Sequence, residues 1–215
     1  MFIWVVGFAG IINPIVAAIG SGDNYSGLNP QYLKIKVYKL AVSSDPYCQN
    51  PVVIFDNPSP TPMNMMDAPN LGNGDLLGGT YQCMMVEISD TVAFASNTSA
   101  GGCTRGQENR SDICSDLGTS FQRIGALSSQ ACSNAEQRIG LFFSTASTNE
   151  SHMFTGNGFM PPTVDNANLG YKQNAALVVN RAIRLRLVAN GNARIDDRNG
   201  ACAMQLPLFE LKTLE

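Results

Sequence analysis

The sequence predicts a mainly β protein: an antiparallel β-sandwich head that follows a hydrophobic N-terminal segment, which we expect to be helical. Two patterns predict the sheets, namely short apolar runs with period two and the turn-forming Gly, Asn and Pro residues between them. Strands do not alternate with helices, so we expect antiparallel sheets. A third observation sets the N-terminal segment apart, because residues 1–20 contain no charge. We expect one β-sandwich domain over residues 21–213, with an irregular, disulfide-stapled insertion at about 96–134.

The predicted strands begin with Tyr32–Val42, in which Lys34 and Lys36 alternate with apolar residues. After Val37 the apolar positions change phase, which predicts a bulge in this strand. Pro51–Phe55 is a short apolar run followed by closely spaced prolines, which exclude a central strand. The remaining predicted strands are Thr80–Ile88, Thr91–Ala95, Arg138–Thr145, Ala175–Val179, Ala182–Ala189 and Cys202–Leu211.

Two interpretations of residues 1–20 involve the membrane. Ala18 and Gly20 supply the small residues that precede signal-peptide cleavage, here ahead of Ser21, but no Lys or Arg comes before the apolar run. Phe2–Gly20 also approaches the length of about 20 apolar residues that a membrane-spanning helix needs. Pro14 would kink such a helix, because proline removes a hydrogen bond from the helix interior. The segment is therefore a candidate signal peptide or membrane anchor.

The third interpretation is an assembly arm that packs against other copies of the chain. An apolar N-terminal helix before a β-rich head is similar to the architecture of pilins, and this resemblance implies a filament subunit. The acidic residue that bacterial type IV pilins carry near the start of this helix has no counterpart here, where Val5 stands. The residues expected to drive anchoring or assembly are Phe2, Ile3, Trp4, Val5, Val6, Phe8, Ile11, Ile12 and Ile15.

Composition places the chain among extracellular and surface β proteins. Charged residues make up 14% of the chain, below the roughly 25% of an average soluble protein. The net charge is −3, so the chain lacks the basic surface that nucleic-acid binding requires. We therefore expect no nucleic-acid partner and an extracytoplasmic location, at the cell surface or secreted.

Six cysteines without zinc-binding spacing predict three disulfides and an oxidising compartment. Six cysteines allow 15 pairings, among which sequence does not choose. A polar loop between Cys103 and Cys114 favours that pair, and Cys48 with Cys83 would join neighbouring strands. This choice leaves Cys132 for Cys202.

No catalytic or cofactor-binding arrangement is recognisable in the sequence. The one histidine, His152, lies in a polar loop without a nucleophile motif. A pair of carboxylates for glycoside hydrolysis would have to come from Glu87, Asp90, Asp67 and Asp75, for which solvent-facing and turn positions are the preferred interpretation. We therefore expect no enzyme activity and no cofactor.

Two further motifs are candidate metal and modification sites. Asp196, Asp197 and Asn199 carry the oxygen ligands that Ca²⁺ prefers, but interleaved arginines and the missing EF-hand spacing favour a hairpin turn. Four sequons in polar segments are candidate glycosylation sites: Asn24, Asn97, Asn109 and Asn149.

The sequence as a whole favours an extracytoplasmic structural protein, most concretely a self-assembling subunit of a surface filament or layer. Its expected partners are other copies of itself, or a membrane, through residues 1–20. The first alternative is a surface-tethered adhesion module that binds a carbohydrate or a protein through loop aromatics. The second alternative is an accessory subunit of a membrane complex.

Overall fold

The computed structural model describes most of the β-rich head. The expected N-terminal helix lies outside the described residues, among which no helix is long and apolar enough to cross a membrane. The head is mainly antiparallel β and contains three disulfides. The described residues are 27–67, 69, 77–114, 120–121, 123–125, 130–146, 170–173, 175–179, 184–197, 200–205 and 207–214.

The strands are short, and most of them correspond to apolar runs between turns. A short 3-10 turn, Met65–Asp67, follows the fourth strand. In chain order the strands are β1 Pro30–Ile35, β2 Val37–Ser43, β3 Val52–Asp56, β4 Met63–Asn64, β5 Gly79–Tyr81, β6 Cys83–Ser89, β7 Thr91–Ser96, β8 Glu108–Asp112, β9 Ser120–Phe121, β10 Gln130–Ala131, β11 Arg138–Ser144, β12 Gly170–Lys172, β13 Leu177–Val179, β14 Arg184–Asn190, β15 Ile195–Asp196, β16 Ala203–Met204 and β17 Leu208–Leu214.

Two larger sheets organise these strands. The first has four strands in the order β4-β1-β7-β8, and all its neighbours are antiparallel. The second has five strands in the order β12-β11-β6-β2-β3, and only its β11/β12 pair is parallel. The other strands form antiparallel pairs: β9 with β10, β5 with β13, β14 with β17, and β15 with β16.

The chain passes twice from one larger sheet to the other at the same corner. At Lys36 it leaves β1 for β2, and at Asp90 it leaves β6 for β7. The two crossings are tied together, because the Ser89 amide donates to the Lys36 carbonyl over 2.9 Å. The predicted strand Tyr32–Val42 is therefore two strands, which separate at Lys36. The predicted bulge is confirmed by a shift in the β2/β6 register between Val37 and Lys39.

One hydrophobic cluster contains residues of both larger sheets. Leu33 and Phe94 from the four-stranded sheet belong to the same buried cluster as Val86 and Leu141 from the five-stranded sheet, and all four are fully buried. Burial of each such side chain stabilises the fold by about 1.5 to 3 kcal/mol. The sheets therefore share a core that a chain with 44% hydrophobic residues can fill.

The structure refines several strand predictions. The exclusion of a central strand at Pro51–Phe55 is confirmed, because β3 pairs within the described residues only with β2. The predicted strand Thr80–Ile88 divides into β5 and β6, which pair with different partners. Part of the insertion expected to be irregular is regular, since β8 pairs with β7 along its whole length.

Three disulfides are confirmed, but two of the three expected pairings are wrong. The bonds join Cys48 to Cys83, as expected, Cys103 to Cys202, and Cys114 to Cys132. The polar stretch between Cys103 and Cys114 is not a closed loop, because it contains β8. A five-residue strand spans about 17 Å, far beyond the roughly 7 Å limit on the Cα separation of a disulfide.

Candidate functional site

The solvent face of the four-stranded sheet carries a groove. In β1, β7 and β8 alternate residues point away from the core, so Lys34, Ala93 and Arg110 lie side by side on this face. The short Ala93 side chain in the middle strand forms the floor between two long neighbours. The groove has a volume of about 340 Å³, within the usual range for small-ligand sites. Its lining residues are Lys34, Lys36, Pro62, Ser89, Thr91, Ala93, Glu108, Arg110 and Glu136.

Glu108 is the centre of one end of the groove. Its carboxylate accepts a hydrogen bond from the Tyr32 hydroxyl at 3.0 Å and lies 3.3 Å from the Lys34 ammonium. The hydrogen bond from Tyr32, followed by that from Lys34, lowers the pKa of Glu108. The Arg110 guanidinium lies 3.9 Å from the other Glu108 oxygen and is mostly exposed. Arg110 is therefore only loosely held and has donors available to a ligand.

Glu136 is the carboxylate at the other end of the groove, and it also binds a lysine and a tyrosine. The Lys36 ammonium lies 2.7 Å from one Glu136 oxygen, and the Tyr38 hydroxyl donates to the same oxygen at 3.2 Å. The hydrogen bond between Lys36 and Glu136 lowers the pKa of Glu136 and raises the pKa of Lys36. Glu136 precedes β11, so this ion pair connects the two larger sheets across their shared corner.

The groove is suited to hydrogen bonding more than to ring stacking. Three cationic groups and two carboxylates offer donors and acceptors of both charges to a hydroxyl-rich or zwitterionic molecule. The nearby tyrosine rings each have a face occupied by a cation. Lys34 lies 4.2 Å from the ring centre of Tyr32, and Arg138 lies 4.0 Å from that of Tyr38. These rings therefore have less surface for stacking on a sugar than exposed loop aromatics would have.

Two carboxylates that were expected to face solvent are fully buried. Glu87 lies in β6, where the Arg123 guanidinium is 3.0 Å away and that of Arg138 is 4.0 Å away. Arg123 comes from the stretch between the paired Cys114 and Cys132, which is why local alternation did not predict the burial of Glu87. An internal carboxylate with two arginine partners is a structural ion pair, whose charge is matched inside the fold.

Asp90 is the second buried carboxylate, at the corner between the sheets. Its Oδ1 accepts the Gln137 amide hydrogen at 2.7 Å and the Thr91 hydroxyl at 3.4 Å. Its Oδ2 is buried and has no hydrogen-bond partner among the described residues. Burial raises the pKa of Asp90 to about 6. Ser89 and Thr91 on either side line the groove, whereas the Asp90 carboxyl does not reach it.

The other predicted site residues are not brought together. Asn97 follows β7 and Asn109 lies in β8, where its side-chain amide donates to the Gln107 carbonyl. Asp196 belongs to β15 and pairs with β16, and no cluster of three metal-binding side chains occurs in the described part of the chain. The predicted residues outside the described ranges are Asn24, Asn149, His152, Asp75, Asn199 and the nine apolar residues of the N-terminal segment.

The groove itself was not predicted from the sequence. Alternation placed Lys34 and Lys36 on a solvent face, but the groove also requires that β8 pairs beside β7. The polar sequence of β8 does not distinguish a strand from a loop, so this pairing was not predicted. Comparison with protein-family models, with curated proteins and with solved structures finds no match for the chain.

Proposed function

We propose that this protein is an extracytoplasmic structural subunit that assembles into a surface filament or layer through residues 1–20. The observation that carries the proposal is the absence of any charge in those residues, whereas charged residues occur throughout the rest of the chain. Three disulfides support an oxidising, extracytoplasmic environment. The core common to both larger sheets supports a two-layer sandwich as the architecture of the head.

The apolar segment has enough hydrophobic surface to drive stable association. Nine large apolar side chains occur between Phe2 and Ile15. Burial of each contributes about 1 to 3 kcal/mol. Their sum, about 9 to 27 kcal/mol, is comparable to or larger than the roughly 4 to 15 kcal/mol that association costs in lost translational and rotational freedom.

The test introduces charge into the arm. We expect the double variant Val6→Glu/Ile11→Glu to stay monomeric in analytical ultracentrifugation, because two buried carboxylates oppose packing of the arm. Leu77→Glu, a matched substitution of an exposed apolar residue of the head, should assemble like the parent chain. Circular dichroism should show the same β signal for all three proteins. Normal assembly of the double variant would refute the proposal.

A second candidate function is a surface-tethered binding module, and the groove on the four-stranded sheet favours it. Arg110 would donate to a hydroxyl-rich ligand, so Arg110→Ala should abolish any binding detected on a glycan array. Arg105→Ala provides the control, because Arg105 is exposed in the turn before β8 and does not line the groove. An array on which the parent chain binds nothing would count against this function.

A further inference from the structure

The exposed edge of the five-stranded sheet has an unusual apolar surface. Within the described residues β3 pairs on one side only, with β2. Val52 and Val53 of β3 are 55% and 47% exposed, high values for valines in a strand. Opposite them in β2 are Val42, which belongs to the main core, and Ala41, which packs in the smaller cluster on the other face. The two valines therefore expose apolar surface on opposite faces of the same edge.

This arrangement is suited to an added strand. A partner lying on one face of the sheet would cover only Val52 or only Val53. A strand beside β3 would place alternating side chains next to both valines and would pair the outer backbone groups of β3. Edge strands usually prevent such pairing with lysines or internal prolines. β3 has neither, and its one charge, Asp56, is bound by Lys39 at 3.5 Å.

The chain itself supplies a segment that fits this edge. Residues Phe2–Val6 are five consecutive apolar residues, with the aromatic and β-branched types that favour strands, and β3 is five residues long. Residues 7–26 lie between them and the first described residue, Gly27. Twenty residues can extend over at most about 66 Å, which is the reach available to the arm.

A contact between the arm of one copy and the β3 edge of another allows a filament to grow. Pairing of Phe2–Val6 with a second copy's β3 joins two different surfaces, so each subunit keeps one free arm and one free edge and growth continues. Pairing of β3 with a second copy's β3 would instead close a two-fold dimer. We propose that β3 is the docking site for Phe2–Val6 of a second copy, which adds to the five-stranded sheet as a sixth strand. In this contact Phe2–Val6 is extended, so the helix expected in the N-terminal segment would begin after Val6. This inference rests on the proposed function, because it names the surface on which that assembly occurs.

The first test places a lysine on the edge of the full-length chain. Val53→Lys should raise the concentration needed for assembly by about tenfold or more, which corresponds to the loss of one buried valine contact. Val178→Lys is the matched control, because Val178 is 62% exposed and lies in β13, outside the five-stranded sheet. Equal assembly of the two variants would overturn the proposal. Both substitutions are at exposed positions, so the head should keep its β signal and its three disulfides.

The second test identifies the occupant of the edge directly. A photo-reactive p-benzoylphenylalanine replaces Val53 in unlabelled full-length chain, which is mixed with an equal amount of ¹⁵N-labelled parent chain. After irradiation, tandem mass spectrometry should find the β3 peptide joined to labelled residues Phe2–Val6. A cross-link to labelled β3, or to any other segment, would overturn the proposal.

The outcomes separate this inference from the function on which it rests. Assembly of the parent chain without a cross-link between β3 and the arm would overturn the docking site and leave the structural function standing. A parent chain that remains monomeric at every concentration would overturn both. The Val6→Glu/Ile11→Glu variant adds a further check, because it should lose the cross-link together with assembly.

Discussion

Asp90 is the residue whose chemistry depends most on its position in the fold. Besides the bonds to its carboxylate, its backbone amide donates to the Gln137 carbonyl at 3.0 Å and its carbonyl accepts from Ile113 at 2.8 Å. These bonds connect the start of β7 with the end of β8 and the start of β11. The carboxyl is held in this position although burial disfavours its charged form and raises its pKa to about 6.

Replacing Asp90 with asparagine should stabilise the protein at neutral and alkaline pH. The pKa of Asp90 is about 6 in the folded state, against 3.8 for an unperturbed aspartate. The folded state therefore holds the Asp90 proton more tightly, and the contribution of Asp90 to stability rises as pH falls from above about 6 towards 4. Asp90→Asn removes the buried charge, so we expect a free energy of unfolding about 2 kcal/mol higher at pH 8 and little change at pH 4.

Urea unfolding at both pH values, with the disulfides intact, measures this difference. The matched control is Asp56→Asn, since Asp56 is an exposed partner of Lys39 and should change stability by less than about 1 kcal/mol. An Asp90→Asn protein with the pH dependence of the parent chain would show that Asp90 is not the titrating group.

At the scale of elements, two loops pack backbone against backbone next to a disulfide. Gly101 and Gly102, between β7 and β8, face the backbone of Asp197 and Gly200. A Cβ atom on either glycine would overlap backbone atoms of the opposite loop, and Gly101 also has a φ of +54°. Only glycine permits this approach, which brings the neighbouring Cys103 to its partner Cys202.

Gly102→Ala should destabilise the protein by about 2 to 4 kcal/mol, because the clash is with backbone atoms that cannot move without separating the loops. Oxidative refolding should also form the bond between Cys103 and Cys202 more slowly. Gly79→Ala is the control, since a Cβ there meets only the Tyr81 side chain, at 3.4 Å or more. Chemical denaturation of both variants measures the effect, and equal stability of the two would contradict the close approach.

At the scale of the whole molecule, the disulfides constrain the chain to different degrees. The bond between Cys103 and Cys202 joins residues 99 positions apart, whereas that between Cys114 and Cys132 spans 18. A cross-link that closes a longer loop removes more conformational entropy from the unfolded chain. The longer loop contains β8 to β15, so this bond restricts nearly half of the chain.

Removal of the long-range disulfide should therefore cost more than removal of the short one. We expect the C103A/C202A variant to lose about 4 to 5 kcal/mol of stability and the C114A/C132A variant about 3 kcal/mol. Each variant keeps the other two disulfides, so the two can be compared directly by guanidinium unfolding. A larger loss in C114A/C132A would show that native contacts around the short loop matter more than loop length.

The sequence determined what depends on neighbours along the chain. Alternation predicted one strand over Tyr32–Val42 with a bulge after Val37. The bulge is present between Val37 and Lys39, but the strand is divided at Lys36 into β1 and β2, which belong to different sheets. Proline spacing predicted that Pro51–Phe55 is not central, and in the described part of the chain β3 lies at the end of its sheet. The cysteine count predicted three disulfides. Each of these features follows from local composition or periodicity.

Only the tertiary structure decided what depends on segments far apart in the chain. The groove needs β8 beside β7, the burial of Glu87 needs Arg123 from 36 residues away, and Cys103 finds Cys202 across 99 positions. Alternation alone assigns a residue such as Glu87 to one of the two faces of a strand. Whether that face meets water depends on what packs over it, and this is decided by long-range contacts that no local pattern records.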